Sequence, residues 1–170
     1  MSGAVGLWLR IAAATAIAFG SLLLLSPDRP DQRLATAVSI AVGTALGVAM
    51  FVAVVGRGSR LAVARGSVHT AFARWIVFGL LAANEELVWR RAVLGECLGA
   101  GSAAALAGST LVFAVAHRAR PGLHLGTGAA FGGVYLATGV LGASIAAHWI
   151  YNGLLSSAAR PSNRIAGSGR

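Results

Sequence analysis

The stretch Ala82-Ala83-Asn84-Glu85-Glu86-Leu87-Val88-Trp89-Arg90 places two adjacent carboxylates inside an apolar run. The chain carries only five acidic residues in 170, and two of them stand side by side here. An ionisable group at membrane depth is expensive to keep, marks a functional site by default, and needs a partner. Arg90 lies four residues after Glu86, on the same face of a helix, and supplies one.

The composition around this stretch sets the class. Hydrophobic residues make up 56% of the chain and charged residues 11%, with a mean hydropathy of +0.74. A soluble domain carries roughly 25% charged residues, so the pattern is that of an integral membrane protein. A span takes about 20 mainly apolar residues, which gives an all-α, polytopic transmembrane bundle of about six spans with an intramembrane site. The net charge of +9 comes wholly from arginine, since there is no lysine. The arginines fall between apolar runs and near the C-terminus, without an aromatic-studded basic face. That is the distribution that orients membrane proteins, and nucleic acid is not an expected partner. The single cysteine, Cys97, excludes an intrachain disulfide and a cysteine-based metal site.

Six apolar runs follow along the chain, at about 4–25, 34–55, 72–98, 103–117, 122–138 and 141–157. The first has no small-x-small cleavage site before the turn at Ser26-Pro27-Asp28 and reads as a retained span. The second contains Gly43 and Gly47, a small-xxx-small pair suited to close helix contact. Basic residues follow the second, fourth and sixth runs, which puts those connections and both termini on the cytoplasmic side. Arg90 and Arg91 do not fit that arrangement unless they pair inside the bundle or snorkel to the interface; for Arg91 the expectation is snorkelling. The organisation is then a two-span region with a basic connection (1–71), a core (72–158) and a disordered basic tail (159–170).

Polar residues within the runs occur in pairs at helical spacing: Glu86 with Arg90, Phe113 with His117, His148 with Asn152. Each pair shares a helix face, so three helices can turn chemistry toward one interior. A single intramembrane histidine or asparagine is often just an interhelical contact; Glu, two His and Asn together are not explained that way. Arg90 is expected to neutralise Glu86, leaving Glu85 to take up a proton as general base. A facing histidine can hold a water, and His148 with Asn152 can donate to a developing oxyanion. No activated nucleophile is visible, so hydrolysis by activated water fits. A His2Glu zinc site from Glu85, His117 and His148 is the competing chemistry, without a His-Glu-x-x-His helix to support it.

These motifs resemble those of the CPBP intramembrane proteases, which include the type II CAAX prenyl endopeptidases and the bacterial Abi proteins. EExxxR is matched by Glu85-Glu86-Leu87-Val88-Trp89-Arg90, FxxxH by Phe113-Ala114-Val115-Ala116-His117, and HxxxN by His148-Trp149-Ile150-Tyr151-Asn152. The glycine-rich stretch Phe131–Gly139 is similar to the helix that precedes the family's last motif. The resemblance implies a glutamate-type peptidase site in the bilayer, with Glu85 and His117 activating water and His148 and Asn152 forming the oxyanion hole. It implies supporting roles for Glu86 and Arg90, Phe113 packed near the site, and no cofactor. The substrate would be a membrane-associated peptide or protein, and the location a bacterial cytoplasmic membrane. The chain is shorter than eukaryotic CAAX endopeptidases, which points away from a prenylated substrate. Two other classes compete: a non-catalytic immunity or scaffold protein of the same fold, and a small transporter relaying protons through Glu85 and His117. The transporter lacks the internal repeat expected of one.

Overall fold

The computed structural model describes residues 3–25, 27–56 and 68–158. The basic connection after Gly56 and the tail at 159–170 lie outside the described residues. Every regular element among the described residues is helical: α1 (Gly3–Leu24), α2 (Thr36–Val55), α3 (Val68–Glu86), α4 (Ser102–Ala116), α5 (Pro121–Thr138) and α6 (Leu141–Ser157). Helices α4 to α6 coincide with the last three apolar runs to within a residue. The third run is a composite. From Glu86 the chain continues in π-helical form over Leu87–Leu94, then closes through short turns at Gly95–Cys97 and Leu98–Ala100. A π-helical register shifts side chains relative to an α-helix and often accompanies functional sites.

Helix α2 and the Val5–Leu24 part of α1 are long and apolar enough to cross a membrane, and α4 is apolar but shorter. Their outward faces carry Trp8, Leu9, Ile17, Phe19, Leu23, Leu24, Leu111 and Val115, all exposed. A water-facing surface seldom gathers so much contiguous apolar area; a lipid-facing one does.

Small residues set the helix contacts. A Cβ at Gly43 or Gly47 would collide with the carbonyls of Ala143 and Ala147, so α2 lies backbone to backbone against α6. This is the close approach expected of the small-xxx-small pair; alanine at either position would cost about 1–3 kcal/mol by overpacking. Helices α3 and α6 interlock reciprocally. Trp75 fills the space over Gly153, Trp149 fills the space over Gly79, and the Trp149 indole donates to the Trp75 carbonyl at 2.7 Å. Helix α1 is tied to α3 just before the glutamates, where Asn84 donates to Thr15 Oγ1 at 2.9 Å.

Helix ends are equally legible. Pro121 opens α5, where its missing N–H costs nothing, and Gly139 closes it in the left-handed conformation, φ 71°. The 27–35 segment packs against that turn, with the Arg33 N–H donating to the Thr138 carbonyl at 3.1 Å.

Candidate active site

Three helix segments meet behind one cavity. The end of α3 brings Glu85 and Glu86, the end of α4 brings His117, and the middle of α6 brings His148 and Asn152. The cavity measures about 280 Å³ and is lined by Glu85, His117, His148 and Asn152, among others. These four candidate site residues therefore share the cavity with Phe113, which also lines it, while Glu86 and Arg90 form its support.

The adjacent glutamates point to different environments. Glu86 is fully buried. Its Oε1 lies 2.8 Å from His148 Nδ1, its Oε2 lies 3.1 Å from Arg90 Nε, and Oε2 also accepts from the Ser144 hydroxyl. Glu85 keeps about a third of its side chain exposed, at 35%, and opens on the cavity. Its Oε2 lies 3.5 Å from His117 Nε2 and 3.9 Å from His148 Nε2. Both imidazoles thus turn the same nitrogen toward one carboxylate oxygen.

The other nitrogen of each ring is already committed. His117 is the residue at which α4 ends, and its Nδ1 lies 2.8 Å from the Phe113 carbonyl in its own last turn. A carbonyl only accepts, so Nδ1 carries the hydrogen. The same carbonyl also accepts the His117 backbone N–H at 3.2 Å, so it takes two donors from one residue. The Phe-x-x-x-His spacing is thus a cap that also fixes a tautomer. For His148, Nδ1 faces Glu86; with Glu86 ionised beside Arg90, Nδ1–H donates to it. In both rings Nε2 is left free to exchange a proton over the cavity.

Arg90 is fully buried, and its pairing with Glu86 is electrostatic, since the Nε–H is not aimed at the carboxylate as a hydrogen bond requires. Its guanidinium carbon stands 5.2 Å from the centre of the Phe113 ring, within cation–π range. Phe113 in turn contacts His117, ring centres 4.3 Å apart, and meets Trp89 edge-on at 5.8 Å. Phe131 stacks on His148 at 4.8 Å. Both histidine planes are therefore held by an aromatic neighbour and a hydrogen bond. Among the described residues, no group of three His, Cys, Asp or Glu side chains has the arrangement to hold a metal ion.

Residues 67–154, just over half of the chain, match the sequence model of the type II CAAX prenyl endopeptidase Rce1-like family. The chain belongs to this family. The match spans every side chain of the cavity wall described above, and it makes this Rce1-like chain a membrane protein of a CAAX-type intramembrane protease family. No curated protein and no solved structure matches the chain.

One expectation about the Rce1-like core is corrected. Arg90 pairs with Glu86 inside the bundle, as its spacing suggests. Arg91 does not snorkel: its NH1 donates to the carbonyls of Pro27 and Asp28, at 2.6 and 3.0 Å. Three site residues escaped the sequence reading. Ser144 lies four residues before His148, so Ser144, His148 and Asn152 form one stripe on α6, a signal open to extension of the His-Asn pair. His124 lines the cavity and contacts the His117 ring, centres 4.6 Å apart; its only signal is a histidine in the first turn of a proline-opened helix. Tyr151 is 4% exposed, lines the cavity, and its hydroxyl has no partner among the described residues.

Proposed function

We propose that this chain is an intramembrane glutamate-type endopeptidase, built as a bundle of about six spans with both termini cytoplasmic, that hydrolyses a peptide bond of a membrane-associated peptide or protein. The observation that carries the reading is the convergence of Glu85, His117 and His148 on one oxygen, with Asn152 on the same cavity wall. Membership of a protease family supports the reaction class.

The proton positions dictate how the parts work. With His117 Nδ1–H given to its own helix, a proton on His117 Nε2 makes its contact with the Glu85 carboxylate favourable and leaves that carboxylate unprotonated. Glu85 accepts a proton from the attacking water, and His117 Nε2 holds that water in line. The tetrahedral intermediate places its negative oxygen toward α6. Asn152 donates to it from its amide. His148 donates from Nε2 only as an imidazolium, because Nδ1–H is committed to Glu86. Preorganised donors of this kind supply the largest electrostatic share of acyl-transfer catalysis. The Glu85 carboxylic acid then returns its proton to the leaving amine.

The test is cleavage of a membrane-anchored, fluorescence-quenched peptide by the full chain in proteoliposomes, with prenylated and unprenylated anchors compared. Wild-type cleavage that is lost in Glu85→Gln and insensitive to chelators is the expected result. Undiminished cleavage by Glu85→Gln overturns the mechanism; loss with a chelator and recovery with zinc replaces it with a metal-dependent one.

A further inference from the structure

A second built cavity lies at the other end of the bundle. It measures about 410 Å³ and is walled by Arg29 and Gln32 from the α1–α2 segment, Thr36 at the start of α2, Arg91 from the π-helical stretch, Tyr135 from α5, and Leu22 from α1. Five of these side chains carry hydrogen-bond donors, and none of the residues lining the cavity is acidic. Among the described residues no carboxylate stands in ion-pair range of Arg29 or Arg91; Asp28 and Asp31 line an adjoining cavity that Arg29 and Arg33 also border. Two arginines around one concavity with no ion-pair partner among the described residues are an anion-binding arrangement.

The walls are rigidly set. Arg91 fastens the Pro27 and Asp28 carbonyls, the Arg33 N–H fastens the end of α5, and a Cβ at Gly139 would strike the Asp31 carbonyl. The cavity is therefore preformed and does not await a ligand to assemble it. Arg29 and Arg91 also border a neighbouring cavity of about 390 Å³, together with Leu22, Leu25 and Pro27. Next to it, Leu23 and Leu24 are 86% and 87% exposed. A cationic pocket opening onto bare leucines is matched by a phosphate carrying acyl chains better than by a bare ion.

We propose that Arg29 and Arg91 form a phosphate-binding site that takes the headgroup of an anionic phospholipid, with its chains lying along the end of α1. Basic pockets between membrane helices bind such headgroups. The test uses the full chain in detergent micelles with phosphatidylglycerol or phosphatidylcholine added, read by native mass spectrometry for retained lipid and by melting temperature. Wild type retains phosphatidylglycerol over phosphatidylcholine, and Arg29→Gln weakens that retention about fivefold, the effect of one arginine near a lipid surface. Arg33→Gln, which changes net charge equally but does not line the cavity, leaves it unchanged. Stabilisation by inorganic phosphate without lipid retention, lost in Arg29→Gln, supports the anion site and assigns a soluble source. Equal retention by wild type and Arg29→Gln, or equal loss in Arg33→Gln, overturns the proposal, as does indifference to both phosphate and phosphatidylglycerol. None of these readouts depends on peptidase activity.

Discussion

The two sides of the paired glutamates are built on opposite principles, although one peptide bond separates them. On the Glu86 side everything is buried: Arg90, His148 and Ser144 contact the carboxylate, and Phe113 covers the arginine. On the Glu85 side the carboxylate is partly exposed, its neighbours stand at 3.5 and 3.9 Å, and a cavity adjoins it. The closed side holds charge in place and the open side leaves room for charge to move. The lesson is that adjacent identical residues divide between scaffold and chemistry when one faces packed helix and the other faces a void.

The largest effect that tests this division is Glu85→Gln. It should lower the peptide cleavage rate by about 10²–10⁴-fold, the share of a general base, with the melting curve in micelles unchanged. A lowered melting temperature would show that the open side is structural after all. Arg90→Ala should do the reverse, destabilising the protein by about 3–5 kcal/mol because Glu86 is left as an uncompensated buried charge; equilibrium unfolding in mixed micelles measures it. Asn152→Ala should reduce kcat by about 10²–10³-fold with KM little changed, as for loss of an oxyanion donor. Steady-state kinetics separate the two parameters, and a change confined to KM would move Asn152 from the reaction to substrate binding. The smallest effect belongs to Ser144→Ala, which removes one hydrogen bond to a charged group and should cost about 1.5–3 kcal/mol of stability, read from the same unfolding curves. If Ser144→Ala instead matches Arg90→Ala, the closed side is held by its hydroxyl and not by its ion pair.

Much of this site could be read before any coordinate. The pairs Glu86/Arg90, Phe113/His117 and His148/Asn152 are visible because a spacing of four puts both members on one helix face, and because polar residues are rare in these runs. The boundaries of α4 to α6 follow from apolar length, Pro121 and Gly139. Other features leave no such trace. A serine in an apolar helix usually bonds its own backbone, so the spacing that puts Ser144 on the face of His148 does not by itself say that it serves Glu86. Arg90 and Arg91 have the same neighbours in sequence, and only tertiary contacts send one to Glu86 and the other to the Pro27 and Asp28 carbonyls. The π-helical register over Leu87–Leu94 is a choice among backbone hydrogen bonds that composition does not record.

The backbone contact of Gly43 and Gly47 with Ala143 and Ala147 has a consequence for what counts as the working unit. Those glycines precede the family-matched segment, yet they seat the helix that carries His148. Cutting the chain back to residues 67–154 would keep every cavity-lining side chain up to Asn152 but strip α6 of the surface it lies against. The recognisable half of the molecule thus borrows its alignment from the half that carries no motif.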